Sequence, residues 1–173
     1  MSSQVVIQTE IGDLVVAIDA ARAPITAANF LRYVDEGRYR NAMFYRVVRM
    51  DNQPNDAVKI EVIQGGLGME THAQRLPPIA HETNQVTGLA HTDGTVSMAR
   101  RAPGSASSEF FICIGDQPAL DFGGARNPDG QGFAAFGRVV SGMEVARTIQ
   151  QLPADGQMLK QKINILGVSR IER

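Results

Sequence analysis

The sequence predicts an all-β protein, a barrel or sandwich of short strands with two helices. Short apolar runs rich in Val, Ile and Phe recur along the chain, separated by Gly, Asp, Asn and Pro clusters. Only two segments carry helical spacing. The 173 residues are 43% hydrophobic and 20% charged, as expected for one packed globular domain over 1–173. A closed barrel would remove exposed sheet edges, and the two helices could plug its open ends.

Val5-Val6-Ile7 and Leu14-Val15-Val16-Ala17-Ile18 flank a Gly12-Asp13 break and predict an N-terminal hairpin. From Pro24 to Val34 the spacing turns helical. Phe30, Leu31 and Val34 share a side, Pro24 suits the first turn and Gly37 the stop. Phe44 to Val48 and Val58 to Gln64 read as strands around the turn formers Asp51 to Asp56. The stretch from Gly65 to Gly94 reads mostly as loop. Val96 to Arg100 and Phe110 to Ile114 are the next strands, joined by small residues. Phe133 to Val140 is a strand. Met143 to Gln151 is a helix, with Ser141 a candidate cap and Pro153 past its end. Ile163 to Val168 closes the chain as a strand.

A net charge of −1 shows no global pull toward nucleic acid. No segment approaches the ~20 apolar residues that span a bilayer. Neither nucleic acid nor membrane is expected as a partner. Cys113 is the only cysteine, so no internal disulfide can form; in its apolar strand it reads as a buried, inert thiol. Residues 1–6 lack a basic region followed by a long apolar stretch. A cytoplasmic location is expected, or a periplasmic one if a leader preceded this numbering. His72, His81 and His91 lack the tight spacing of a metal site and read as surface or structural. Gly65-Gly66-Leu67-Gly68 lacks the Lys-Ser/Thr of a phosphate loop and reads as a turn.

Two segments carry the chemistry. One runs Met43-Phe44-Tyr45-Arg46-Val47-Val48 and resumes at Glu61-Val62-Ile63-Gln64-Gly65-Gly66. The other runs Gly94 to Arg100 and on to Glu109-Phe110-Phe111-Ile112. An arginine on an apolar strand is costly to bury unless something uses it. Taken singly, Phe111 and Leu120 read as core, Gln64 as a strand-end amide and Arg46 as an ion-pair partner. Their co-occurrence points to a site.

These segments, with Ser97-Met98-Ala99-Arg100 and Phe136-Gly137-Arg138-Val139, closely resemble the cyclophilin-type peptidyl-prolyl isomerases, bacterial branch, in the family's order. The resemblance implies a closed eight-stranded antiparallel barrel capped by two helices, with peptide bound outside. It implies isomerisation of X–Pro bonds in unfolded or flexible polypeptides, without cofactor or metal, in a monomer. Arg46 matches the catalytic arginine, Gln64 the amide that holds it, and Phe111 the floor of the proline pocket. Tyr45, Glu61, Val62, Ala99, Arg100, Arg101, Glu109, Leu120 and Phe133 match groove positions.

Four positions depart from the family pattern. Glu61 stands where an apolar wall is usual, Glu109 where a neutral Gln is usual, and Ala119 where a large aromatic is usual. Phe133 stands where many eukaryotic members carry His. The Arg46-to-Gln64 connection is also roughly ten residues longer than the family's, a length typical of functional or mobile loops. A Glu109 carboxylate near Arg46 is expected to form a charge-assisted pair. Arg100-Arg101 reads as a solvated rim that would favour acidic peptides. Ala119 implies weak cyclosporin binding. The alternative function is a weak or inactive module that binds proline-containing segments as a chaperone or adaptor. A small-molecule carrier with an open barrel is disfavoured by the supply of Val, Ile, Leu and Phe to fill a core.

Overall fold

The computed structural model describes residues 3–68 and 71–171. The strands are β1 (Ser3–Thr9), β2 (Gly12–Ile18), β3 (Met43–Val48), β4 (Val62–Gly66), β5 (Thr95–Met98), β6 (Phe110–Cys113), β7 (Ala134–Ser141), β8 (Ala154–Asp155) and β9 (Met158–Arg170). Two longer helices, α1 (Pro24–Asp35) and α3 (Met143–Gln150), join a four-residue helix α2 (Asn84–Thr87). All strand pairings are antiparallel. The ring runs β1-β2-β7-β5-β6-β4-β3-β9 and closes through β1–β9, with β8 appended to β9. Eight strands thus form the closed barrel that the resemblance implies.

Alternation builds the interior. Val5 and Ile7 on β1, Leu14, Val16 and Ile18 on β2, and Ile163 and Ile165 on β9 are all buried. They join one cluster with Phe30 and Val34 of α1 and with Val145, Ala146 and Ile149 of α3. Phe110 is the hub of the aromatic core. Its ring meets Phe30, Tyr39 and Phe44 edge to face at 5.6, 5.7 and 5.8 Å.

Strands β4 and β6 are largely buried on both faces. Their inward residues Ile63, Phe110 and Ile112 belong to the barrel core. Their outward residues Val62, Phe111 and Cys113 belong to a second cluster with Val48, Ile60 and Leu120. Two adjacent phenylalanines therefore do different work, because successive strand residues point to opposite faces.

Several boundaries differ from the sequence expectation, each for a local reason. The strand expected from Val58 begins only at Val62. Buried Gln53 takes the backbone groups of Ile60 instead: Ile60 N–H donates to Gln53 Oε1 at 3.1 Å, and Gln53 Nε2 donates to Ile60 O at 2.7 Å. Ser141 does not cap α3; it lies in β7, and Gly142 at φ +93° takes the cap position. The first turn of α1 is capped from afar, by Glu82. Its carboxylate accepts from Ile25 N, Thr26 N and Thr26 Oγ1 at 3.2, 3.0 and 2.8 Å.

Phe110→Ala should cost about 3–5 kcal/mol, because it leaves a cavity among three aromatic rings. Urea unfolding with a near-unchanged m-value would check this.

Candidate active site

The site begins with an irregularity in β3. Register with β4 and β9 slips between Phe44 and Arg46. Phe44 and Val47 point into the core, while Tyr45 and Arg46, neighbours in sequence, both line the outer groove. A bulge permits this by giving one strand an extra residue.

Arg46 is then held by two neutral amides. Its Nη1 donates to Gln64 Oε1 at 2.8 Å, while Nε and Nη2 donate to Gln157 Oε1 at 3.0 and 2.7 Å. Gln157 Nε2 in turn donates to Asn52 O at 3.2 Å. Burial and then the charge of Arg126 push the Arg46 pKa down, but a guanidinium stays protonated at any physiological pH. The other N–H groups of Arg46 have no protein partner among the described residues.

Glu109 does not pair with Arg46, contrary to the sequence expectation. Its Oε1 accepts from Tyr45 Oη at 2.6 Å and Gly68 N at 2.8 Å. Its Oε2 accepts from Leu67 N at 3.0 Å and Ser108 Oγ at 2.8 Å. The turn after β4 captures the carboxylate first, offering two backbone N–H groups. Gly66, at φ +143°, keeps that space open, since a Cβ there would collide with the carboxylate. Glu109 reaches Arg46 only by relay. Tyr45 Oη accepts from Gln64 Nε2 at 2.9 Å, which turns the Gln64 oxygen toward the guanidinium. Burial and then the charge of Glu109 push the Tyr45 phenol up, so it stays a donor.

The groove encloses about 610 Å³. Val62, Phe111, Leu120, Ala99 and Phe133 line it together with Ile60. Phe133 meets Phe111 edge to face at 5.4 Å. Glu61 is absent from this lining, and its carboxylate accepts from Gln150 Nε2 of α3 at 3.3 Å. Ile60 supplies the apolar wall from the long connection after β3.

Arg100 is not a solvated rim. Its side chain is 1% exposed, donates to both oxygens of Asp129 at 3.0 Å and to Gly132 O at 2.6 Å, and lies 4.8 Å over the Phe133 ring. It braces the wall rather than offering a charge. Arg101, exposed, lines the groove at its edge.

A family profile for cyclophilin type peptidyl-prolyl cis-trans isomerases matches residues 4–170. The chain belongs to that family. It is 39% identical over 150 residues to peptidyl-prolyl cis-trans isomerase B of Escherichia coli, covering 84% of this chain and 83% of that one. It is 36% identical over 157 residues to peptidyl-prolyl cis-trans isomerase A of Dickeya dadantii, covering 89% and 74%. A crystal structure of a Cryptosporidium parvum cyclophilin has the same fold, with TM-score 0.78 and 22% identity over 100% of this chain and 99% of the other.

Sequence reasoning missed Gln157 of this cyclophilin's site and left His91 open between surface and structural. Gln157 follows Asp155-Gly156 in the β8–β9 hairpin, and that dipeptide was a legible turn signal. His91 is buried under the floor, with its ring stacked on Phe111 at 6.0 Å and 17°. Its Nδ1 faces Asp121 Oδ1 at 2.8 Å and its Nε2 faces Ser97 Oγ at 2.9 Å. His72 and His81 are, as expected, at the surface.

Two outcomes are expected. Gln157→Ala removes two bonds to a charged group and should lower prolyl isomerase kcat/KM roughly ten-fold with little loss of stability, read from peptide kinetics beside urea unfolding. Burial pushes the His91 pKa below its ordinary 6.5, against the pull of Asp121. The unfolded chain therefore binds more protons than the folded one below about pH 6.5, and the contribution present above that pH is lost as pH falls. The melting temperature should drop between pH 7 and 5, with a shallower drop in His91→Asn.

Proposed function

We propose that this groove isomerises X–Pro bonds by holding the proline against Phe111 and stabilising the twisted amide with Arg46. Members of the family act on proline-containing peptides, and one solved cyclophilin of the same fold, 23% identical, was studied with the dipeptide Ala-Pro.

The supporting observation is the environment of Arg46. A planar amide resists rotation with a barrier of roughly 18–20 kcal/mol because twisting breaks its resonance. At the twisted midpoint the prolyl nitrogen becomes pyramidal and can accept a hydrogen bond. A cation aimed at that nitrogen stabilises the midpoint more than either planar state. Gln64 and Gln157 aim the guanidinium through neutral oxygens. No carboxylate bonds to it, and its side chain lines the groove with further N–H groups that have no protein partner among the described residues. Bringing a time constant from minutes to milliseconds takes a factor of ~10⁵, or roughly 7 kcal/mol. One charged hydrogen bond and an apolar seat for the ring are asked to supply that.

The features that favoured a purely binding module carry less weight in place. Glu61 bonds to α3 and Glu109 to the turn after β4. Ala99 N–H is bonded to Glu109 O at 3.0 Å, so that edge offers a peptide its carbonyls and side chains. We further propose that the chain works as a monomer and binds cyclosporin weakly, because Ala119 leaves the rim without a large ring.

Arg46→Ala should lower kcat/KM for a proline-limited peptide by at least about 100-fold while leaving unfolding unchanged. Equal rates for the two proteins would overturn the assignment. Calorimetry should find no nanomolar affinity for cyclosporin.

A further inference from the structure

Arg126 is bonded through its backbone to Ala119. Its backbone N–H donates to Ala119 O at 3.3 Å, and its side chain, 11% exposed, lines the same groove as Arg46. Nη1 donates to Val58 O at 2.7 Å and Gln53 Oε1 at 3.0 Å. These bonds tie the long connection after β3 to the segment before β7. Asp56 lies 3.5 Å from the same nitrogen, 43% exposed. The Nε and Nη2 donors of Arg126 have no protein partner among the described residues.

The charge in this part of the groove is positive. Glu109 is taken up by Tyr45, Ser108 and the turn N–H groups. Arg100 is matched by Asp129. Arg75 and Arg101 line the same groove, and beside the Gln53 connection stand Arg46, held by amides, and Arg126, facing one half-exposed carboxylate. Like charges sharing a partly dehydrated groove repel, and Arg126 accordingly lowers the proton affinity of Arg46. An anion bound beside them would relieve that repulsion.

We propose that Arg126 makes this groove selective for peptides that carry a carboxylate side chain next to the prolyl unit. The inference rests on the groove being the peptide site. Arg126 is a specificity-determining residue here, and its planar fork suits a carboxylate better than an ammonium would. The expected sequence signal, Arg100-Arg101, pointed to the same preference, but Arg100 is buried and already paired with Asp129.

The test uses three peptides of equal length: one neutral, one with Glu after the proline, one with Glu before it. Binding to the parent is measured by calorimetry. One acidic peptide should bind roughly three- to ten-fold tighter than the neutral one at low salt. The gain should shrink at about 0.5 M salt, fall to near parity in Arg126→Gln, survive in part in Arg126→Lys and grow in Asp56→Asn. Equal binding of all three peptides by the parent, or the same gain in Arg126→Gln, would overturn the proposal. If Arg126→Gln does not fold, the salt dependence and Asp56→Asn decide alone. Turnover of the neutral peptide reports on the isomerase mechanism separately. Turnover without acid preference refutes only this inference, and acid preference without turnover refutes only that mechanism.

Discussion

Everything at this site depends on holding a guanidinium still without cancelling its charge. A carboxylate would orient Arg46 more strongly, but it would also neutralise the charge that the proposed mechanism uses. Gln64 and Gln157 fix the head group from two sides with neutral oxygens. The nearby carboxylate, Glu109, is kept off the arginine by stronger claims on it: two backbone N–H groups, a phenol and a hydroxyl. Its influence arrives through Tyr45 and Gln64, where it sets orientation rather than charge.

The barrel makes this possible through parity. Strand residues alternate between faces, so β6 sends Phe110 into the core and Phe111 to the groove, and β4 splits Ile63 from Val62 and Gln64. β3 breaks the alternation once. The slip between Phe44 and Arg46 puts Tyr45 and Arg46 on the same outer side, and the relay from Glu109 to Arg46 requires both. Around that fixed centre, two long connections rebuild the walls. One brings Ile60 where Glu61 fails to serve, and the other, bonded to Ala119 through its backbone, brings Arg126 into the lining. Gln53 binds the two together.

Much of this was legible in the chain. Local periodicity carried the strands and both long helices, since alternation and helical spacing are short-range properties. Arg46, Gln64, Phe111, Leu120 and Val62 stand out by residue type in ordered motifs, and they do converge on one groove. Illegible were contacts made across the fold. Glu82 caps α1 from 56 residues away at Thr26, Gln157 reaches Arg46 across 111 residues, and His91 supports Phe111 from a segment read as loop.

The sequence by itself determined a β-rich fold through local spacing, and its ordered motifs determined the family, with the closed barrel and the candidate arginine, amide and aromatic ring that the resemblance implies. Only the tertiary structure decided how they work together. Which acceptor wins a given donor depends on competition among groups distant in sequence, and on a one-residue slip that alternation alone does not announce. Glu109 is the clearest instance. Its charge is visible in the sequence, but its role turns on backbone N–H groups that exist as a cradle only once β4 and its turn have folded.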